Sequence, residues 1–261
     1  MAHDRKPPAG VAGSQTLMRG LDVIDAVARG ETTLPQLAVA LELTRSTAHR
    51  IAASLVERGY LAFTPRAGYR LGSKLLELGH LAQAQSDLVQ IARPHLEALA
   101  ETTEDTVHLG ILDADQALYL DKVPGRRRIN ISSRVGDRQP LSSTGLGKAL
   151  MLDHAAEYWH QRFFADQASG APAADPAVWN ERMRSYAELG RAYDLEENED
   201  QIRCVAAPVR NAAGEIVGAI SVSSAAQYMS DSRMEDLSGE VIAAAQVISR
   251  ELGWNPQAKE R

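Results

Sequence analysis

A chain of 261 residues, 44% apolar and 24% charged, is long enough to bury a real core in two domains or one large one, and its composition is ordinary for a soluble globular protein. No apolar run approaches the ~20 residues of a membrane span, the start M-A-H-D-R-K-P-P-A-G lacks the apolar core of an export signal, and one cysteine, Cys204, forbids an intramolecular disulfide and fits a reducing cytoplasm. The net charge of −6 argues against a wholly basic nucleic-acid binder, but residues 1–73 hold nine Lys/Arg against six Asp/Glu (+3) while residues 74–261 hold nineteen against twenty-eight (−9).

Residues 1–13 read as a disordered arm. Ser14 to Arg29 has helical periodicity, with Leu17, Leu21, Ile24 and Ala28 on one face and Gly30 as a stop. The stretch T-L-P-Q-L-A-V-A-L-E-L-T-R-S-T-A-H-R (33–50) predicts two short helices joined by a tight turn. Leu34, Leu37, Ala38 and Leu41 line the first, and Pro35 is tolerated in its first turn. Thr44 is a natural N-cap for the second, whose apolar stripe is Ala48, Ile51, Ala52, Leu55 and Val56. Its other face carries Thr44, Arg45, Ser46, Thr47, His49 and Arg50, side chains that hydrogen-bond phosphates and base edges. Two readings fit: the recognition helix of a helix-turn-helix, or a helical hairpin with a solvated basic face. Y-L-A-F, the turn T-P-R-A-G and Y-R-L predict a β-hairpin, making a winged helix with Arg66 at its tip, either against phosphate or simply solvated.

Together S-Q-T-L-M-R-G-L-D-V-I-D-A-V, L-P-Q-L-A-V-A-L-E-L-T-R-S-T-A-H-R-I, V-E-R-G-Y-L and Y-R-L-G resemble the N-terminal domain of the IclR family of bacterial transcriptional regulators. The resemblance continues over nearly the whole chain.

Residues 74–87, with Leu75, Leu78 and Ala82 in one stripe, resemble the family's linker helix. Leu88 to about Glu101 predicts a further helix, broken or kinked near Arg93 by Pro94. Three strand-like runs follow: T-V-H-L-G-I-L, A-L-Y-L-D-K-V after the D-A-D-Q turn, and I-N-I-S-S, suggesting an antiparallel sheet. Between the last two lies P-G-R-R-R, where Arg126, Arg127 and Arg128 either cap an acidic ligand or neighbouring subunit or form a solvated loop. In G-D-R-Q-P-L-S-S-T-G-L-G-K-A-L-M (136–151) a phosphate loop fails, because Ser142 stands where Gly is needed and Ala149 where Ser or Thr is needed. What survives is a helix capped by Thr144, with the N–H groups near Gly145 and Leu146 turned outward as an anion cradle. Residues 154–191 read as helical apart from 168–176. A paired-strand unit follows, in which Ser221 and Ser223 share one face of the last strand. Two such hydroxyls need partners, from a ligand pocket or from a core network. A helix from about Asp231 to Leu252 closes the chain.

The resemblance implies an α+β protein. A winged helix-turn-helix domain (14–73), a linker helix (74–87) and a GAF-like effector domain (88–255), with a twisted antiparallel sheet flanked by helices, precede a tail (256–261). Carried onto matching positions, it implicates Gly145, Leu146, Asp194, Cys204, Ser221 and Ser223 in holding a small oxygen-rich anion, such as a sugar acid or keto acid. It further implies a double-stranded DNA operator, a homodimer or tetramer, repression of a catabolic operon, a cytoplasmic location, and neither membrane nor cofactor. The competing class is a small-molecule enzyme or sensor whose helical head is an interaction module. Against it, none of the seven histidines forms a metal-spaced pair with Cys204, and no G-x-S-x-G elbow appears.

Overall fold

Three helices lead into a β-hairpin in the first of two units, Met1–Gln85 and Ser86–Arg261. The computed structural model describes residues 14–85, 87–127, 131–170 and 175–256. The expected arm, Arg128, and all but the first residue of the expected tail lie outside the described residues. In the first unit α1 (Ser14–Ala28), α2 (Leu34–Ala40) and α3 (Arg45–Glu57) precede β1 (Leu61–Thr64) and β2 (Gly68–Leu71), and α4 (Ser73–Gln85) ends it. The strands pair antiparallel, Leu61 opposite Leu71 and Phe63 opposite Tyr69, which completes the winged helix. Its core is Val23, Ala26, Val27, Leu37, Ile51, Ala52, Leu61 and Tyr69.

The buried stripe of α1 differs from the expected one. Leu17 and Leu21 are 64% and 47% exposed, whereas Val23, Ala26 and Val27 are buried. Both stripes have helical spacing, and it is Val23, Ala26 and Val27 that join Leu37, Ile51 and Ala52 in the core. The wing is pinned by one contact. The Tyr69 N–H donates to the Thr32 carbonyl at 2.7 Å. Gly68, at φ 87°, passes so near that a Cβ there would lie 2.1 Å from the same oxygen.

The second unit runs α5 (Leu88–Thr103), β3 (Thr106–Asp113), β4 (Gln116–Val123), β5 (Arg138–Gln139), α6 (Gly145–Leu150), α7 (Ala156–Ala168), α8 (Pro176–Leu189), β6 (Ala192–Leu195), β7 (Ile202–Arg210), β8 (Ile216–Ala225) and α9 (Asp231–Glu251). Six strands form one sheet in the order β5-β4-β3-β8-β7-β6, every neighbouring pair antiparallel. One face places Val107, Leu109, Val205, Val209, Ile220 and Val222 against Leu96 and Leu99 of α5 and Met234, Val241 and Ile248 of α9. On the other, Tyr119, Ala206 and Ala219 meet Leu146 and Leu150 of α6, Trp159 and Phe163 of α7, and Trp179 and Met183 of α8.

Several expectations need correction. Helix α5 is continuous through Pro94, with Ala92, Leu96 and Leu99 buried along it; packing on the sheet outweighs the one hydrogen bond that proline removes. The run I-N-I-S-S is not a strand over Ile131–Ser133, and its first two residues lie outside the described residues. The Ile131 and Ser133 carbonyls both accept from the Lys122 ammonium at 2.7 Å instead of from a neighbouring strand, and β5 takes the sheet edge. The described arginines of P-G-R-R-R serve the chain's own acids. Arg126 pairs with Glu101 at 3.1 Å, while Arg127 donates to the buried Asp105 at 2.8 Å and stacks on Tyr228.

Candidate functional site

On α3 the cap and the exposed face divide the labour. The Thr44 hydroxyl accepts from the Thr47 N–H at 3.2 Å, and the two threonine hydroxyls lie 2.9 Å apart. Both are therefore engaged in starting the helix. Arg45, Ser46, His49 and Arg50 are exposed, opposite the buried Ala48, Ile51 and Ala52. That leaves two guanidinium groups, a hydroxyl and an imidazole along the first turns of one helix, the part a major groove admits. His49 and Arg66 line a single cleft between α3 and the wing, with Phe63 and Tyr69 at its wall. Arg66 is exposed at the hairpin tip with φ 72°, so the turn itself projects the guanidinium. The structure thus brings the helix and wing residues to one side of the first unit.

In the second unit, strand alternation builds two polar rows on the α6 side of the sheet. Asp194, Cys204, Ser223 and Thr106 stand side by side across β6, β7, β8 and β3. In the next row Ala206, Ser221, His108 and Lys122 are neighbours across β7, β8, β3 and β4. A register shift after Leu109 pairs Gly110 with Tyr119. By changing the phase of β4, it turns both Tyr119 and Lys122 toward this side. Above the first row is a small cavity of about 50 Å³, lined by Thr144, Asp194, Cys204 and Ser223 together with His108, Tyr119, Ser133, Gln139, Asn198 and Glu199.

Of the six residues expected to hold an anion, three line this cavity: Asp194, Cys204 and Ser223. Ser221 is buried beside His108 in the second row. Gly145 backs the site: a Cβ there would lie 2.5 Å from the Cys204 sulfur. Helix α6 begins at the cavity wall, where Thr144 stands. The Gly145 N–H is engaged by the Cys204 sulfur, the Gly147 N–H by the Thr144 hydroxyl at 3.0 Å, and the Leu146 side chain fills the apolar cluster under α7 and α8. Helix α6 is buried at every residue.

Burial favours the neutral forms of both Cys204 and Asp194. Burial, with Asp194's charge second, pushes the Cys204 thiol up to about 12, which favours the neutral thiol over the thiolate. Burial raises Asp194 to about 6, opposed by Lys148 and by the Glu197 N–H, which donates to its carboxylate at 2.8 Å. Lys148 is 1% exposed, donates to the Tyr193 carbonyl at 2.9 Å and pairs with Glu197, which Arg182 also reaches at 3.2 Å. The turn after β6 is held down by this lysine and by Ser143, which donates to Asn198 at 3.0 Å.

Reasoning from the sequence misses His108, Tyr119, Ser133 and Lys148. Alternation in T-V-H-L-G already puts His108 on the face opposite Val107 and Leu109, which is signal enough. Lys148 sits inside the failed phosphate loop, and nothing local reveals that Glu197 meets it. Among the described residues, no group of three or more His, Cys, Asp or Glu is placed to hold a metal ion, and no helix is long and apolar enough to cross a membrane.

Comparison with known proteins places both units. Residues 16–65 match the family model described as IclR helix-turn-helix domain, and residues 80–250 match that described as bacterial transcriptional regulator IclR C-terminal. The chain is 31% identical to the HTH-type transcriptional regulator XynR of Escherichia coli over 92% of its own length and 98% of that protein's. It is 31% identical to the DNA-binding transcriptional repressor YiaJ of the same species, over 97% and 92%. The crystal structure of Pseudomonas aeruginosa HmgR shares the fold, with a TM-score of 0.80 over 93% of this chain and 99% of that one, at 20% identity.

Proposed function

The chain belongs to the IclR family of bacterial transcriptional regulators, a DNA-binding regulator and not an enzyme, and from that premise we propose that it is a repressor released by a small oxygen-rich organic acid. The arginine-bearing face of α3 reads a major groove through Arg45 and Arg50, with Ser46 and His49 beside them and Arg66 on the flanking phosphates. Thr44 and Thr47 start that helix. Homodimers or tetramers reading roughly palindromic half-sites follow from the symmetry of such operators. The name of the relative YiaJ, a DNA-binding transcriptional repressor, supports the direction of control.

The observation that carries the ligand assignment is the cavity at the row Asp194–Cys204–Ser223, walled by Thr144 and Asn198. It is small and polar, and burial keeps its cysteine a neutral thiol. Asp194, which takes up a proton near pH 6, and Ser223 suit carboxyl, hydroxyl and keto oxygens. Gly145, Leu146 and Ser221 shape and back this pocket, as does Cys204 within its wall. Release of DNA requires the acid to bind one of two states more tightly than the other.

Calorimetry on the full chain with pyruvate, D-gluconate and the neutral aromatic benzyl alcohol, beside a gel shift on the DNA upstream of its own gene, tests the proposal. A bound aliphatic acid that releases DNA supports it. Tighter binding of the aromatic alcohol, or DNA retention that no acid changes, overturns it.

A further inference from the structure

The wing carries an aromatic side chain that reading a groove through Arg45 and Arg50 leaves without a task. Strand alternation puts Leu61, Phe63 and the paired Tyr69 on one side of the hairpin. Leu61 and Tyr69 are buried in the core of the first unit. Phe63, two residues nearer the tip than Leu61, leans on Tyr69 with ring centroids 5.1 Å apart and stays 54% exposed. Its ring walls a cleft of about 630 Å³ between α3 and the wing, lined largely by apolar side chains, Leu34 and Val56 among them. His49 enters this cleft from α3 and Arg66 from the wing.

We propose that the cleft seats the sugar–phosphate backbone of one DNA strand, with a deoxyribose against Phe63 and phosphates at His49 and Arg66. The inference rests on the reading of α3 as the helix in the major groove.

The chemistry of the cleft matches that of the backbone. A strand presents charged phosphates and less polar sugars in turn, and contacts to both fix position without reading sequence. Hydrogen-bond donors stand on both walls, and an exposed aromatic ring shares the space with them. The cleft also continues the reading face, because His49 lies one turn along α3 from Arg45 and on the same side. A helix seated in the major groove has a strand backbone along each flank. The wing holds Phe63 beside one flank of α3. This geometry is preformed: the Tyr69 N–H donates to the Thr32 carbonyl at 2.7 Å, so the wing cannot swing from its helices without breaking that bond. Glu57 marks the far end of the cleft. It lies eight residues beyond His49, about 12 Å along the helix, and its carboxylate repels phosphate. The strand is thus confined to the end held by His49 and Arg66. Covering the Phe63 ring removes apolar surface from water, a gain that involves no release of counterions.

Fluorescence anisotropy of the full chain tests it at several salt concentrations, on the DNA upstream of its own gene and on a scrambled duplex of equal length. Phe63→Ala is expected to bind both duplexes about tenfold more weakly, with the salt slope unchanged. Arg66→Ala instead lowers that slope by about one unit. Phe63→Trp keeps an aromatic ring on Tyr69 and binds within about threefold of wild type. DNA moves its emission to shorter wavelength, a shift that the wild-type tryptophans do not show. This second variant keeps the test valid if alanine loosens the wing. Unchanged affinity in Phe63→Ala, a loss confined to the upstream DNA, or a Phe63→Trp emission that bound DNA leaves unaltered overturns the seating of a strand at Phe63. Arg45→Ala and Arg50→Ala separate this from failure of the premise. Wild-type affinity in both removes α3 from the interface and this inference with it, whereas a loss in either leaves the groove reading standing whatever Phe63 does.

Discussion

Asp194 and Cys204 stand directly opposite each other across the β6–β7 ladder, and the amide of Gly145 closes over the cysteine sulfur from α6. The approach is close enough that the helix tolerates no side chain there: a Cβ on Gly145 would meet that sulfur at 2.5 Å and the Asp194 nitrogen at 3.0 Å. Gly145→Ala is expected to destabilise the second unit by about 1–3 kcal/mol, the range for overpacking a filled core. Removing the sulfur with Cys204→Ala relieves most of the clash, so the double variant is more stable than Gly145→Ala alone. Urea unfolding of the four proteins measures the coupling; purely additive effects would show that the two residues do not meet.

The same row predicts a pH dependence. Burial raises the Asp194 carboxyl from 3.8 to about 6. Between those values the folded protein holds a proton that the unfolded chain has lost. Asp194's contribution to stability is thus full below about pH 4 and is lost as the pH rises through about 6. A carboxyl raised this far corresponds to roughly 2–3 kcal/mol. Across that interval the wild type should lose about this much unfolding free energy relative to Asp194→Asn, while groups common to both proteins cancel. Parallel profiles from pH 4 to 7 would show that the Asp194 carboxyl titrates alike in the folded and unfolded chains.

In the first unit the critical contact is made by backbone. Gly68→Ala introduces a Cβ where the Thr32 carbonyl sits, at a φ of 87° that alanine disfavours. The wing must swing away and break the 2.7 Å bond from the Tyr69 N–H to Thr32. The expected result is a first unit weakened by roughly 2 kcal/mol or more and a loss of DNA retention, with ligand affinity in the second unit unchanged. Wild-type retention on the upstream DNA would dissociate the wing from binding.

Much of this was legible. The two short helices of 33–50 and the cap at Thr44 follow from spacing and capping chemistry, because each is set within a few residues. What escaped depends on partners distant in the chain. The α1 stripes Leu17–Leu21 and Val23–Val27 are equivalent in periodicity, and only the neighbouring helices decide which is buried. The alternation of I-N-I-S-S predicted a strand, yet the Lys122 ammonium takes the carbonyls that a neighbouring strand would have bonded. Asp194, Cys204 and Ser223 came from the family resemblance, and the ladder makes them neighbours. The cap at Thr144 is legible in the motif, whereas the burial of α6 against the sheet depends on partners the motif does not encode.

The DNA contacts separate by their salt dependence. Arg45 and Arg50 are exposed on the same helix face. If either reaches a guanine edge, its alanine variant should lose about 1–3 kcal/mol and discriminate less between the operator and mismatched sites. If it contacts phosphate, binding should weaken uniformly and the slope of log affinity against log salt should fall by about one unit. Fluorescence anisotropy at several salt concentrations distinguishes the two. Wild-type affinity in both variants would remove α3 from the interface.

The buried ion pair under the turn after β6 should respond asymmetrically. Lys148 is 1% exposed, whereas the Glu197 side chain is 16% exposed and has Arg182 as a second partner at 3.2 Å. Glu197→Ala leaves the buried ammonium hydrogen-bonded to the Tyr193 carbonyl with Asp194 as its remaining nearby charge, and breaking such a pair from one side costs up to about 3–5 kcal/mol. Lys148→Met keeps the volume and leaves a carboxylate that Arg182 and water can still reach. Its expected cost is smaller, about 1–2 kcal/mol. The double variant has no stranded ammonium and should be more stable than Glu197→Ala alone, a direction that additive losses cannot produce. Urea unfolding of the three proteins decides the matter: if Lys148→Met is the costlier single change, the lysine's packing and its bond to Tyr193 outweigh the charge pair, and the turn is not held by electrostatics.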